Sequence, residues 1–280
     1  MEKASSAYAG AHSLVILSRK CKTSPLPMRY RKEDSNERLG DKIHPPLPEE
    51  MQRVGSSTWE IFQIHANTIE PEITSHLKHH FGWKRFGRRV LDFGCGVGRV
   101  ALKMYAENKW PTDACDVNPA AVRYINSQLP RVKTALTNYD PPLPYKDASF
   151  DAVYSISVWT HMPEDAQDRW LAETARILKP GGIALLTTSG PRALASRRRR
   201  GDKGWSDVTD ADLKEKGIIF TEYERFALDP KQYPGVTRSY GLTAHAHDYI
   251  HTRWGKFLKV NYIKPACISQ VQDLVVCTKS

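Results

Sequence analysis

The sequence predicts an α/β fold built on a mostly parallel sheet. Three observations support this: strand and helix signals alternate over residues 89–188, a short apolar strand runs directly into a glycine-rich turn, and two further strand signals close the chain. At 280 residues, with 40% hydrophobic and 26% charged residues, the chain has the size of one globular domain with extensions.

The first fifty residues mix charges and prolines without sustained periodicity, which predicts a flexible basic leader over 1–50. Over 59–81 apolar residues recur on one face on either side of Pro71, so two short helices broken at the proline are expected. Residues 89–93 form the first strand; beyond the turn, Val97, Val100, Ala101, Met104 and Tyr105 fall at helical spacing. A second strand over 112–115 ends at Asp116, after which Asn118 can cap a helix with Pro119 at its first position. Strands return at 150–156 and 183–188, and 163–178 between them reads as a helix stopped by Lys179-Pro180-Gly181-Gly182. After Ser189 the regularity weakens, and 257–266 and 274–278 read as two closing strands.

No run approaches the roughly 18 to 20 apolar residues of a membrane-spanning helix; the apolar stretch 14–17 is interrupted at Arg19 and is too short for a secretory signal. A cytoplasmic location is therefore expected. The five cysteines, Cys21, Cys95, Cys115, Cys267 and Cys277, include no C-x-x-C pair and read as buried thiols, with no metal knuckle. A net charge of +10 favours anionic partners without choosing among them.

The most informative segment is VLDFGCGVGRV over 90–100, where Asp92 ends an apolar strand and Gly94, Gly96 and Gly98 lead into a helix. Glycines there let a ligand approach the backbone, and the helix start offers unpaired N–H groups. A nicotinamide or flavin site is the first rival, but the third glycine of its G-x-G-x-x-G fingerprint would fall on Arg99. Asp92 would repel a pyrophosphate and attract a cation, and no G-x-x-x-x-G-K-[ST] phosphate loop occurs. Asp116 stands eighteen residues after Gly98, near the spacing at which an acidic residue accepts from ribose hydroxyls. A ligand with a ribose and a cationic centre is S-adenosylmethionine.

At this point the chain resembles the class I S-adenosylmethionine-dependent methyltransferases, in particular the small-molecule group with a type 11 or type 25 methyltransferase domain. The resemblance also takes in ACDVNP, LPYKDASFDAVYSISVWTHM, ARILKPGGIALLTT and QDLVVCTK, in the family's order, over roughly 59–280. It implies a Rossmann-like seven-stranded, mostly parallel sheet with helices on both faces and an antiparallel last strand. It also implies a domain over 51–280 with an acceptor-side insertion at about 190–256. By that resemblance Asp92 sits near the methionine ammonium of the cofactor, and the backbone of Gly94, Cys95, Gly96 and Gly98 lines its methionine and ribose. Asp116 holds the ribose hydroxyls and Val117 packs on the adenine. Asn138 and Tyr139 occupy the loop that contacts the adenine amine, where the family's common acidic residue is absent. Ser157 falls where backbone groups face the methionine portion.

Weaker signals carry duller counterparts. Cys95 reads as a small filler, since no base is placed next to it. Asp140-Pro141-Pro142-Leu143 resembles a D-P-P-aromatic motif but lacks the aromatic residue and precedes the fourth strand; it reads as a turn delivering Leu143 and Tyr145 to the core. His161, at the carboxyl edge of the sheet, is the candidate general base for a hydroxyl acceptor or else an organiser of its loop, and Trp159 is a candidate wall of the acceptor site. His245, His247 and His251 read as a solvated or substrate-facing patch, without the ligand set of a metal site. The run 197–200, four arginines, reads as a solvated loop with the capacity to bind phosphate or another anion.

The expected activity is methyl transfer from S-adenosylmethionine to a small or medium-sized acceptor, a sugar, glycolipid or natural product, at oxygen. Trp205, Tyr223, Tyr233, Tyr240, Tyr249 and Trp254 in the insertion suit such an acceptor. The alternatives are a nucleic-acid (RNA) methyltransferase, which would use the +10 charge but shows no RNA-binding module, and a non-catalytic cofactor-binding protein.

Overall fold

The computed structural model of the protein describes residues 43–82, 87–202, 205–223, 236 and 239–280. Most of the expected leader, 1–42, and Tyr233 lie outside the described residues.

Helix α1 (Pro48–Arg53) starts inside the expected leader and buries Glu50 and Met51. The next segment is one helix, α2 (Trp59–Phe81), and not two. Phe62, Ala66, Ile69, Ile73, Leu77 and Phe81 form an unbroken apolar stripe, while Pro71 lies on the exposed face. Burial of the stripe holds the helix together across the lost N–H, on the side where water can meet the freed carbonyl.

Strand and helix then alternate as β1 (Val90–Phe93), α3 (Ala101–Asn108), β2 (Asp113–Asp116), α4 (Pro119–Gln128), β3 (Lys133–Leu136), β4 (Phe150–Ser155), α5 (Glu164–Ile177) and β5 (Leu178–Thr188). The insertion contributes α6 (Pro191–Arg200), α7 (Asp210–Lys216), the antiparallel pair β6 (Ile218–Glu222) and β7 (Gly241–His245), and α8 (His247–Tyr249). β8 (Lys259–Ile268) and β9 (Gln272–Thr278) close the chain.

The main sheet has seven strands in the order β3-β2-β1-β4-β5-β9-β8. The first five run parallel, and β9 runs antiparallel to both its neighbours. Period-two alternation sends Leu91, Phe93, Ala184, Leu186, Val275 and Cys277 to one face, against Trp170, Leu171 and Ile177 of α5. Val90, Ala152, Tyr154, Leu185, Leu274 and Val276 meet the stripe of α2 and Met104 of α3 on the other. Strand order reverses between β1 and β4, so a crevice opens there beyond the carboxyl ends of the strands, where open α/β sheets bind ligands.

The insertion corrects three expectations. The arginine run is the last turn of α6, where its charges complement the helix dipole, not a loop. Trp159 is fully buried, its ring 5.2 Å from that of Trp254, so it belongs to the core and not to a substrate wall. The histidines form no solvated patch: His245 is buried and bonds Gln167 Oε1 at 3.0 Å, His247 pairs with buried Asp273 at 2.6 Å, and only His251 is exposed.

Candidate active site

The glycine turn after β1 is clamped by the end of β2. Gly94 and Cys95 donate their N–H groups to the Cys115 carbonyl at 2.9 and 3.0 Å. Asp116 accepts from Gly96 N–H through Oδ2 at 2.7 Å and from Asn118 N–H through Oδ1 at 2.8 Å. Asn118 also caps α4, accepting from Ala120 N–H at 2.9 Å. Gly94 and Gly98 both have φ of +72°; a Cβ would overlap Val158 at the first and Ile125 at the second. Gly94 thus sets the approach of the turn to the strand β4 exit, and Gly98 the packing of α3 on α4.

Asp92 is buried beneath this turn. Its register partner on β4 is Tyr154, whose hydroxyl donates to Oδ2 at 2.8 Å. Burial pushes the Asp92 pKa up to about 7, with the Tyr154 hydroxyl opposing the shift. Asp92 lines a cavity together with Val54, Gly94, Cys95, Arg99, Val100 and Ile156. Arg99 donates to the Val54 carbonyl, and its Nε is buried without a partner. Burial lowers the Arg99 pKa to about 10, with Asp92 opposing the shift. A buried carboxylate and a half-buried guanidinium with a buried, unspent Nε therefore face one cavity, a donor set that complements a zwitterionic amino-acid group.

The other expected residues distribute unevenly. Cys95 is buried and its thiol pKa is pushed well up by that burial, which leaves a packing residue with no thiolate. Val117 is half-buried beside Asp116. Asn138 is exposed and Tyr139 is buried; the Tyr139 hydroxyl donates to the Ser239 carbonyl and its own carbonyl accepts from Trp170 Nε1 at 3.1 Å. Ser157, at φ 61°, gives its N–H to Thr187 Oγ1 at 2.7 Å and engages Gln272 with its hydroxyl. Leu143 is buried and Tyr145 packs on the same cluster, as the Asp140–Leu143 turn requires.

His161 stands one turn beyond Val158, whose carbonyl accepts its N–H at 3.0 Å. Its Nδ1 lies 2.7 Å from the Gly241 carbonyl, which can only accept, so Nδ1 carries the proton and Nε2 keeps its lone pair. Burial lowers the His161 pKa to about 4 against the raising effect of that bond, so the ring is neutral at physiological pH. Tyr240 stacks on it at 5.0 Å between centroids, and the Tyr223 hydroxyl lies 3.4 Å from Nδ1.

Glu50, Val54, Arg99 and Tyr154 were not singled out as site residues from the sequence. Glu50 Oε2 accepts from Asn118 Nδ2 at 2.8 Å, which seats α1 on the cofactor side. Arg99 and Tyr154 carried a usable signal, being an arginine one residue past Gly98 and a tyrosine in register with Asp92.

Comparison with known proteins agrees with this geometry. Residues 90–182 match a family model described as a methyltransferase domain. A 27-O-demethylrifamycin SV methyltransferase from Amycolatopsis mediterranei is 32% identical over 48% of this chain and 55% of its own length. A tRNA N(3)-cytidine methyltransferase from Bos taurus is 27% identical over 57% of this chain and 41% of its own. The chain thus spans about half the length of these curated relatives. The PH0226 protein from Pyrococcus horikoshii shares the fold, with a TM-score of 0.54 and 15% identity over 79% of this chain and 92% of that one. The sheet order, the acid-flanked glycine turn and the family match together define a Rossmann-like methyltransferase domain. Over residues 90–182 the chain is similar to a methyltransferase domain, and this likeness supports S-adenosylmethionine as the cofactor. Among the described residues no helix is long and apolar enough to cross a membrane, and no group of His, Cys, Asp and Glu could hold a metal ion.

Proposed function

We propose that the chain transfers a methyl group to an oxygen of a small or medium-sized acceptor, a sugar, glycolipid or natural product, with His161 as general base. The observation that carries this reading is the Nδ1 contact with the Gly241 carbonyl, which fixes the tautomer and leaves Nε2 free to take a proton.

Asp92 and Arg99 would hold the ammonium and carboxylate of the cofactor's methionine end, the 94–98 backbone would line it, and Asp116 would accept from the ribose hydroxyls. Val117 would pack on the adenine, and Asn138 would border it. Bound S-adenosylmethionine would supply an electrophilic methyl group, and the residues of this chain would hold that donor and the acceptor hydroxyl in line. The hydroxyl proton passes to His161 Nε2. Catalysis then rests on alignment and on exclusion of water more than on strong acid–base chemistry. Tyr223 and Tyr240, packed about His161, would hold the acceptor.

A nucleic-acid acceptor is the second reading, favoured by the +10 charge and by the tRNA-modifying relative. Incubation of the full chain with methyl-labelled S-adenosylmethionine, a panel of glycosides and phenolic natural products, and bulk tRNA separates the two. Label on oxygen of a small molecule supports the proposal; label in tRNA alone overturns it.

A further inference from the structure

The four arginines that end α6 are not equivalent. Arg198 bonds Asp210 at 2.8 Å and the Val208 carbonyl at 3.0 Å, Arg200 bonds Asp202 at 2.8 Å, and Arg199 is exposed. Arg197 has the least exposed side chain of the paired arginines, 18% against 26% for Arg198 and 42% for Arg200. Its one hydrogen bond among the described residues is a 3.4 Å contact from Nη1 to Asp202 Oδ2, an oxygen that Arg200 already occupies. The guanidinium lies 5.7 Å from the Trp205 ring centroid, which stacks without spending its in-plane donors. Nε and Nη2 are left unspent at a mostly desolvated site.

The direction in which Arg197 looks is set by its neighbours. Its positive charge acts on His161, helping to hold the ring neutral, and it is itself acted on by Tyr223. His161, Tyr223 and Tyr240 are mutually packed, with ring centroids 5.0 to 6.2 Å apart. Trp205, over which the guanidinium lies, packs in one cluster with Leu194 of α6 and with Leu242 and Ala244 of β7, and β7 begins at Gly241, whose carbonyl His161 bonds; this packing puts Arg197 on the His161 side of the insertion. Among the described residues, the groups gathered there are the Arg197 guanidinium, a neutral imidazole and two phenols, and the Asp202 oxygen that Arg197 contacts is shared with Arg200. A guanidinium with two open donors and no full counter-ion favours a planar or forked anion.

We propose that Arg197 is the anion-binding residue of the acceptor site: it takes the carboxylate or phosphate of an acidic acceptor whose hydroxyl faces His161. This rests on the reading of the His161 side as the acceptor site and adds a substrate class to it. Acceptors without an anion near the methylated hydroxyl should bind poorly, and lysine at 197 should restore only part of the affinity, since it keeps the charge and loses the fork.

The test is an NMR titration of the full chain in the presence of S-adenosylhomocysteine, following the His161 imidazole while 4-hydroxybenzoate, inorganic phosphate or neutral methyl 4-hydroxybenzoate is added. The expected result is a saturable shift with at least one of the two anions, at about tenfold lower concentration than with the ester, given a charge-assisted pair. R197Q should weaken that response about tenfold, and R198Q should not. Stronger response to the benzoate marks a carboxylate acceptor and stronger response to phosphate a phosphate ester. Absence of a saturable shift with both anions, or equal weakening in R197Q and R198Q, would overturn the proposal. Calorimetry of S-adenosylhomocysteine on the same samples keeps the two readings apart: failed cofactor binding with an intact Arg197-dependent shift refutes methyl transfer and leaves the anion site standing.

Discussion

On the proposed cofactor side, Gly96 finds Asp116 twenty residues further on; on the proposed acceptor side, His161 finds Gly241 eighty residues further on. The first region is built from adjacent parallel strands and the turns that leave them, and its shape is fixed by backbone groups bonded to one carboxylate and one carbonyl. The second is assembled from a short turn after β4, the end of α6 and the β6–β7 pair, and its shape is fixed by side-chain packing. Turn chemistry specifies the former locally, whereas the latter depends on where an insertion lands.

That contrast can be broken or sharpened by substitution, and the largest effect belongs to the acceptor side. H161A should reduce the methyl-transfer rate by about 10² to 10⁴, the worth of a positioned general base, while S-adenosylhomocysteine affinity stays unchanged by calorimetry. The rate of the unsubstituted protein at saturating cofactor should hold as pH falls and be lost only near 4, because burial keeps His161 deprotonated above that. An acidic limb at 6.5 or above would assign the base elsewhere.

Next comes D116A, which strips the Gly96 and Asn118 N–H groups of their charged acceptor. Cofactor affinity should fall about a hundredfold, the worth of two charge-assisted hydrogen bonds, and unchanged affinity would refute the ribose role of Asp116. G98A tests the packing of the same region: a residue forced to φ of +72° with its Cβ against Ile125 should cost about 1 to 3 kcal/mol in denaturant unfolding.

The smallest effect is that of pH on cofactor affinity. The folded-state pKa of Asp92 is raised to about 7, so free protein holds a proton there that the unfolded chain releases near the ordinary carboxylate value. Stability of the free protein should therefore fall as pH rises from about 4 to about 7. A bound ammonium favours the carboxylate, so cofactor affinity should rise up to about tenfold per pH unit below 7 and level off above it. D92N should flatten that dependence, as read by calorimetry across the same range.

The legible parts of the molecule are those whose cause is local. Asp116 and Asn118 stand at a strand end and a helix start, positions that their side chains dictate, and the Asn118 cap on Ala120 is where it was expected. The period-two strands and the antiparallel β9 likewise follow from pattern and family resemblance. Pro71 misled because a break was inferred from the missing N–H alone, whereas the buried stripe from Phe62 to Phe81 carries the helix through. Trp159 and His245 misled because their surroundings come from Trp254 and Gln167, which no spacing brings near. Arg197 differs from Arg198 in what each meets, Asp202 and Trp205 for the first and Asp210 and the Val208 carbonyl for the second, and a run of identical residues hides that difference.

The most direct test of the central claim is calorimetric titration of the full chain with S-adenosylmethionine, S-adenosylhomocysteine and NAD, repeated on D116A. Saturable binding of both adenosyl ligands, none of NAD, and binding weakened about a hundredfold in D116A is the expected result. Binding of NAD, or no heat with either adenosyl ligand, would contradict a methyl-donor site between β1 and β2.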